Sequence, residues 1–254
     1  MQKKGFTLAE LLVVMLLIAL VMGLLMPALA RARQQGRSVL CLSNLRQMTM
    51  ASMMYVNVNN GYFPMVLITE VSGPLFKLKA WDFTTVHEGS KRYVEPGLLW
   101  QGEMMERIQQ CPSFRGPANW ANDPYTGYNY NASYLGGSGA VVNGIVVAST
   151  VVMSSEVSEV KKPDECAIFG DGQWSDGANK FMRSPFPGKL DAHFSGRYAG
   201  TQGYRHIGRT NVAFCDGSAR SVRDCFKETH TAEKADIAEG TGFLSSDNSA
   251  YDLK

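Results

Sequence analysis

The sequence has few of the residue patterns that mark an enzyme or a cofactor protein. It contains no CxxC pair and no cysteine–histidine cluster at zinc-binding spacing, so spacing alone predicts no metal site. Residues 136–139 do not form a GxSxG nucleophile elbow, and His87, His193 and His230 stand in no recognised spacing. The formal net charge is only +2, which excludes a dedicated nucleic-acid binder. We therefore expect a protein that is not an enzyme and carries no cofactor.

Cysteine is scarce and dispersed, which limits what the sequence says about disulfides. The cysteines are Cys41, Cys111, Cys166, Cys215 and Cys225. If the domain is exported, an oxidising compartment would permit one or two disulfides and would leave one thiol over. Spacing does not choose among the pairings, and Cys41 with Cys111 is the pairing that we prefer.

A long apolar run near the N-terminus is the strongest feature that the sequence does have. Leu11 to Ala30 is a run of residues without a charge, and it meets the length of about 20 residues that a membrane-spanning helix needs. Glu10 stands directly before this run. Because a charge near the centre of a spanning helix costs roughly 2.5–3.5 kcal/mol on insertion scales, a carboxylate at this position needs a physical reason.

Two ordinary interpretations of the run leave Glu10 unexplained. A secretory signal peptide would be cut after the Ala-Leu-Ala of residues 28–30, but its apolar region would exceed the usual length of about 7–15 residues. A simple one-span anchor is favoured by Lys3 and Lys4 before the run. It is opposed by the arginines at 31, 33 and 37 after it, so the positive-inside rule is split.

The segment KKGFTLAE, residues 3–10, supports a third interpretation. It closely resembles the N-terminus of type IV prepilins and of type II secretion pseudopilins. The resemblance implies that a membrane-bound prepilin peptidase cuts after Gly5 and methylates the new N-terminal residue, Phe6. Glu10 then occupies the family's glutamate position. Pro27 matches a proline often found late in the apolar helix, where it would kink or break the helix.

The chemistry that this resemblance implies explains the carboxylate. Cleavage would create a positive amine on Phe6, one helical turn from Glu10. In a filament core built from such helices, the amine of one subunit would neutralise Glu10 of its neighbour, because a buried charge is tolerated when paired and strongly unfavourable alone. We therefore expect Glu10 to control assembly.

The pattern along the chain predicts an α+β fold, in which one long N-terminal helix packs on an antiparallel β-sheet head with long loops. Its parts would be a leader at 1–5, a membrane-spanning or filament-core helix at 6–30, an amphipathic continuation at 31–57, a β-rich pilin-like head at 58–225 and a C-terminal tail at 226–254. The tail would hold a short helix at 228–239 and a loose end at 240–254. Steps of three or four in the continuation predict a stripe of residues that faces the core: Val39, Leu42, Leu45, Met48, Ser52 and Tyr55.

Two dipeptides predict tight hairpin turns of two residues, Asn143-Gly144 and Asp216-Gly217. The second belongs to an H-x9-DG pattern that begins at His206. This pattern resembles one found in a group of prepilin-like proteins of the Planctomycetes–Verrucomicrobia–Lentisphaerae type. Four earlier segments of the chain also resemble that group and occur in the same order: 41–47, 111–112, 128–129 and 169–172. We interpret His206 and Asp216 as groups that hydrogen-bond loop backbone around the turn, with an acid–base or metal role as the alternative.

Three aspartates form a candidate site for calcium. Asp171, Asp176 and Asp216 could together hold Ca²⁺, which takes oxygen ligands and is common in exported proteins. No EF-hand spacing supports such a site, so we expect no bound metal.

The function that these features predict is structural. The chain would be a processed, N-methylated subunit of a type II secretion or type IV pilus-like filament, with one span in the inner membrane and its head in the periplasm or at the cell surface. Its partners would be the prepilin peptidase and other pilin-like subunits. The alternative is a membrane-tethered binding module that holds glycans through the Tyr- and Asn-rich segment 122–139, although such a segment is more often an ordered surface loop. An anchored enzyme that uses His206 comes third.

Overall fold

The computed structural model describes residues 7–100, 106–119, 122–175, 177–191, 196–227 and 234–254. These residues confirm the predicted class, a long N-terminal helix packed on β-sheets. Two predicted site residues at the N-terminus, Gly5 and Phe6, lie outside the described residues, as does Asp176. Part of the expected helix at 228–239 also lies outside them, and its described part holds a 3₁₀ turn at Lys234–Asp236.

The N-terminal helix, α1, spans Leu8–Val58 and has 51 residues, so it is roughly 75 Å long. It ends where Asn60 and Gly61 take left-handed φ angles of 51° and 85°, which stop the helical hydrogen-bond pattern. The expected break at Pro27 is not found, because α1 continues through this proline. Proline removes one hydrogen bond from the ladder, and the long helical segments on both sides keep the backbone helical.

The described residues beyond α1 form thirteen short strands and several 3₁₀ turns. The strands are β1 (Leu67–Ser72), β2 (Leu75–Ala80), β3 (Phe83–Glu88), β4 (Lys91–Pro96), β5 (Asn129–Asn131), β6 (Ser138–Val142), β7 (Ile145–Val146), β8 (Ala167–Gly170), β9 (Phe181–Met182), β10 (Gln202–Gly203), β11 (Thr210–Phe214), β12 (Ala219–Val222) and β13 (Thr241–Gly242). The 3₁₀ turns are Glu106–Gln109, Ala148–Thr150, Val157–Glu159, Arg197–Gly200 and Lys234–Asp236.

The strands form two main sheets and a small pair. The first sheet has the order β4-β3-β2-β1-β6-β7 and is a meander extended by a hairpin, and the second has the order β12-β11-β8-β5-β9. Strands β10 and β13 form the pair. Most strand pairs are antiparallel as predicted, but β1 pairs with β6 and β5 with β9 in parallel. Both parallel pairs join strands that are distant in the chain, where no tight turn imposes an antiparallel course.

Both dipeptide turns are present, one as predicted and one longer. Val142 pairs with Ile145 across a two-residue turn in which Asn143 and Gly144 have φ angles of 49° and 79°. In the second hairpin, the Phe214 amide donates to the Ser218 carbonyl and Gly217 has a φ of 87°. This loop therefore has three residues, which is the common alternative with a left-handed glycine at its end.

The C-terminal half of α1 packs on the second sheet, against β8, β11 and β12. Its buried face is Cys41, Asn44, Leu45, Met48, Thr49, Ser52 and Val56. The expected stripe was partly wrong, because Val39 is 66% exposed while Cys41 and Asn44 are buried. Asn44 is polar, so the hydrophobic pattern did not place it on the buried face. It is buried because its side-chain amide donates to the Tyr128 hydroxyl at 3.4 Å.

The two sheets meet at a cluster of three buried rings. Trp81 follows β2 of the first sheet, whereas Tyr130 and Phe169 lie on β5 and β8 of the second. Their ring centroids are 5.2–5.8 Å apart at tilted angles, which is a favourable aromatic geometry. The Trp81 indole donates to the carbonyl of Lys180 at 2.9 Å, and the Tyr130 hydroxyl donates to the carbonyl of Pro64 at 2.9 Å, so both polar ring atoms are satisfied.

Two regions are more deeply buried than the sequence indicated. In the Tyr- and Asn-rich segment, Tyr128, Asn129, Tyr130 and Asn131 are all buried, so this part is neither a surface loop nor an accessible glycan surface. The chain end at 240–254 is not loose, because its buried tyrosine and phenylalanine pack into the head and β13 pairs with β10. Local polarity suggested exposure in both cases, and hydrogen bonding inside the head outweighed it.

Candidate functional site

The N-terminus of α1 shows how Glu10 interacts within its own chain. Thr7 is the N-cap, and its hydroxyl accepts a hydrogen bond from the Glu10 amide at 3.3 Å. The Glu10 carboxylate oxygen Oε2 accepts from the Thr7 amide at 2.9 Å and from its hydroxyl at 2.7 Å. This reciprocal pair is a capping box, and the Thr-x-x-Glu spacing that signals it is visible in the sequence. Because both bonds from Thr7 end on Oε2, Oε1 can accept from a further donor.

The first half of α1 offers a continuous apolar surface. Every residue from 7 to 37 is exposed, including the long run of leucine, valine and methionine side chains. The helix is long and apolar enough to cross a membrane. Soluble proteins rarely expose apolar patches of this size, so the surface fits a membrane anchor or a helix–helix interface. The first hydrogen bonds to the head are at Ser38, whose carbonyl accepts from the Asn211 side chain at 3.2 Å.

A second site lies where α1 meets the head, and it collects four potential metal ligands. Cys41 is on α1, Cys111 follows the 3₁₀ turn Glu106–Gln109, Asp171 directly follows β8, and His206 lies in the turn between β10 and β11. One ligand atom from each lies within 4.8 Å of the others, and all four residues are buried. Within the described part of the chain, no other group of three or more such side chains meets this condition.

The contacts inside this cluster are short and mutual. The Cys41 thiol lies 3.3 Å from Asp171 Oδ1, and the Cys111 sulfur lies 3.6 Å from the same oxygen. His206 Nε2 lies 3.3 Å from Asp171 Oδ2 and 3.6 Å from the Cys111 sulfur. The other ring nitrogen, Nδ1, faces the Ser113 hydroxyl at 3.4 Å. The imidazole is therefore oriented with Nε2 toward the sulfur and carboxylate groups.

Arg205 supplies a positive charge beside these groups. Its guanidinium donates to the Cys111 sulfur at 3.2 Å and to Asp171 Oδ1 at 3.0 Å. Burial alone would raise the pKa of Asp171, but Arg205 and the hydrogen bonds from His206 and the Asn211 amide outweigh it, so the pKa is lowered. Asp171 is thus an ionised carboxylate in the protein interior.

The same neighbours act on the other ionisable groups. Burial would lower the pKa of His206, but hydrogen bonds to Asp171 and Cys111 raise it to about 9. Burial would raise the pKa of Cys111, yet the Cys41 hydrogen bond and the Arg205 charge bring it well below its usual value. Burial raises the pKa of Cys41. The surroundings thus favour the charged forms of Cys111, Asp171 and His206 and the neutral form of Cys41.

The H-x9-DG residues have separate roles. Asp216 is exposed, and its carboxylate accepts from the Ser218 amide at 2.8 Å, which is the expected backbone hydrogen bond in a turn. The same interpretation was wrong for the His206 ring, which contacts the side chains of Asp171, Cys111 and Ser113. The ring was directed inward by packing of α1 over β11, which the local spacing does not encode.

The proposed calcium residues do not converge in the described part of the chain. Asp171 lies at the N-terminal end of β11, where it accepts a hydrogen bond from the Asn211 amide, and it is ion-paired with Arg205. Asp216 lies beyond the other end of β11 and is exposed. The third member, Asp176, lies outside the described residues.

The remaining cysteines lie elsewhere. Cys166 and Cys215 are neighbours across β8 and β11, with the Cys215 amide donating to the Cys166 carbonyl at 3.0 Å, and Cys225 is exposed. Sequence reasoning missed Arg205 and did not connect Asp171 with His206. The preference for Cys41 with Cys111 paired two members of this site, while Asp171 and His206 were named only separately, and the disulfide itself stays a prediction.

Comparison with known proteins gives one match, at the N-terminus. Residues 1–26 match the family model described as the prokaryotic N-terminal methylation motif. This match supports a type IV pilin-like protein of the prepilin type, and such a motif implies processing by a prepilin peptidase and assembly with pilin-like subunits. No curated protein and no solved structure matches the chain.

Proposed function

We propose that this protein is a processed, N-methylated structural subunit of a type II secretion or type IV pilus-like filament. The observation that carries the proposal is the N-terminal half of α1, whose described residues up to 37 are all exposed and whose third residue, Glu10, stands in the prepilin glutamate position. A helix of this kind can reside in the inner membrane before assembly and can pack against identical helices afterwards. The head would then lie in the periplasm or at the cell surface.

Glu10 would serve two purposes in this function. Within one chain it closes the capping box with Thr7. Between chains, its Oε1 would receive the Phe6 amine of a neighbouring subunit. Breaking a buried ion pair by removing one partner costs about 3–5 kcal/mol, which corresponds to a loss of roughly 100-fold or more in an association constant.

Two substitutions separate these roles. Glu10→Gln keeps a side chain that can form the capping box but removes the charge. Thr7→Ala removes the cap, at a cost of about 0.5–2 kcal/mol in helix stability, but keeps the charge. We expect Glu10→Gln to be cleaved and methylated normally yet to lose filament yield at least tenfold, and Thr7→Ala to assemble.

The measurements are mass spectrometry of the N-terminal peptide from membrane-derived protein and the yield of sheared filaments. A peptide that begins at Phe6 with one added methyl group establishes processing. A chain that begins at Arg31 would identify a secreted protein, and an uncut Met1 would identify a simple anchor; either result overturns the proposal. Normal filament yield from Glu10→Gln would show that the charge has no role in assembly.

A further inference from the structure

We propose that Cys41, Cys111, Asp171 and His206 form a structural zinc site that fastens α1 to the head. The four side chains supply two sulfurs, one imidazole nitrogen and one carboxylate oxygen, which is a donor set suited to Zn²⁺. Calcium and magnesium take oxygen ligands and do not fit two sulfurs. This inference does not depend on whether the chain assembles into a filament.

Three of the distances between the donor atoms match those of a tetrahedral site. Zinc bonds of about 2.3 Å to sulfur and about 2.0–2.2 Å to nitrogen and oxygen place tetrahedral ligand atoms roughly 3.3–3.8 Å apart. In the structure, the Cys41 sulfur is 3.3 Å and the Cys111 sulfur 3.6 Å from Asp171 Oδ1. The Cys111 sulfur is 3.6 Å from His206 Nε2. These three distances fall in the tetrahedral range, and all four ligand atoms lie within 4.8 Å of one another.

Neighbouring groups hold the metal-ligand atoms in place by hydrogen bonds, as they do in zinc sites. A histidine that binds zinc through one nitrogen usually donates a hydrogen bond from the other. Here Nε2 of His206 faces the cluster, and Nδ1 faces the Ser113 hydroxyl at 3.4 Å. The Asn211 amide donates to Asp171 Oδ2 at 2.6 Å, which holds the carboxylate in place.

The positive charge of Arg205 is compatible with a Zn²⁺ ion bound beside it. Zn²⁺ with two thiolates, one carboxylate and a neutral imidazole carries a net charge of −1. The guanidinium of Arg205, which contacts the Cys111 sulfur at 3.2 Å and Asp171 Oδ1 at 3.0 Å, brings the buried assembly to neutrality. A buried group of charges is stable only when its charges are compensated in this way.

Burial and connectivity indicate a structural role for the metal. All four ligands come from the protein and all are buried, which leaves no open position for a substrate. They come from α1, from the segment after the first 3₁₀ turn, from the end of β8 and from the turn before β11. One ion would thus join the long helix to three parts of the head.

A Cys41–Cys111 disulfide is the competing state of the same two sulfurs. It would use two of the four converging groups and would leave Asp171 and His206 without a role. Zinc uses all four, so the geometry favours zinc. The two states are exclusive, because a disulfide sulfur has no charge with which to bind the metal.

The test uses the full-length chain in detergent, purified without added metal and in the presence of a thiol reductant. Metal content is measured by mass spectrometry of the elements, before and after incubation with zinc chloride and removal of excess ion. We expect about one zinc per chain, a lower melting temperature after a strong chelator, and recovery when zinc is returned. Cobalt in place of zinc should give the visible absorption of a tetrahedral site with thiolate ligands.

Variants assign the site to these residues. Cys41→Ser should lose stoichiometric zinc, whereas the matched control Cys225→Ser, at the exposed cysteine, should keep it. Ser113→Ala should still reach one zinc per chain but with an affinity about 10–100-fold lower, and Ser113→Thr should restore it. If Cys41→Ser does not fold, the wild-type chelation and cobalt measurements still decide the question.

Three results would overturn the proposal. The first is less than a tenth of an equivalent of zinc after loading of the reduced protein. The second is a Cys41–Cys111 disulfide in protein isolated without reductant, seen as two thiols that resist labelling until reduction. The third is zinc retained unchanged in Cys41→Ser.

Discussion

The interface between the two sheets contains a buried lysine, and its removal should strongly destabilise the head. Lys180 Nζ lies 2.8 Å from Asp82 Oδ2 and 2.8 Å from Asp123 Oδ2. The three side chains are only 3%, 7% and 1% exposed. Asp82 follows β2 of the first sheet and Lys180 directly precedes β9 of the second, so the ion pair between these two residues connects the sheets.

The substitution Lys180→Met keeps the length of the side chain and removes its charge. Two buried carboxylates then lose their shared cation, and breaking a buried pair in this way costs about 3–5 kcal/mol. For a domain of this size, 1 kcal/mol shifts the melting temperature by about 2–4 °C, so we expect a fall of about 6–20 °C. The assay is thermal unfolding of the full-length chain in detergent, followed by near-ultraviolet circular dichroism or tryptophan fluorescence.

A surface lysine in the same head is the matched control. Lys162 pairs with Glu165 at 3.0 Å, but their side chains are 57% and 53% exposed. Surface pairs contribute about 0–1 kcal/mol, so Lys162→Met should shift the melting temperature by no more than about 4 °C. The triple variant Lys180→Met, Asp82→Asn, Asp123→Asn should be more stable than Lys180→Met, because no uncompensated charge remains. Equal melting temperatures for Lys180→Met and Lys162→Met would refute this reasoning.

Two further predictions concern close packing in the head. Gly137→Ala should destabilise the head by about 1–3 kcal/mol, because an added Cβ would lie 1.9 Å from a main-chain oxygen. The control Gly139→Ala in β6 should be nearly neutral, because its Cβ would have no contact closer than 3.4 Å. Tyr251→Phe should lower the free energy of unfolding by about 1–3 kcal/mol, since the Leu244 amide donates to the Tyr251 hydroxyl at 2.7 Å inside the core. The control Tyr93→Phe, at an exposed position, should have little effect.

Urea unfolding of the same detergent-solubilised chain measures both pairs of variants. If Gly137→Ala and Gly139→Ala unfold at the same urea concentration, the close approach at residue 137 does not constrain the fold. If Tyr251→Phe matches the wild type, the chain end at 240–254 contributes little to the head despite its burial.

The parts of the fold that the sequence predicted correctly depend on residues that are close in the chain. The uncharged run before Ala30 and the turn residues after Val58 define α1, because helix periodicity and termination are local properties. The Asn143-Gly144 turn likewise follows from two adjacent residues that accept positive φ angles.

The errors arose where distant contacts outweighed local polarity. Segment 122–139 has the composition of a surface loop, yet Asn131 is buried because its amide donates to the carbonyls of Ala167 and Tyr251 at 2.8 and 2.9 Å. The same contacts hold the chain end in place. A polar side chain can enter the core when it is fully hydrogen-bonded, and its partners here lie far away in the sequence.

The sequence by itself determined the N-terminal segment of this protein, residues 1–30. The apolar run, the Gly5–Phe6 junction and Glu10 are adjacent, so their spacing carries the prepilin pattern without knowledge of the head. Only the tertiary structure brought Cys41, Cys111, Asp171 and His206 together. The physical reason is that these residues belong to four separate elements, and the packing of α1 on the second sheet, which no local periodicity encodes, sets the distances between them.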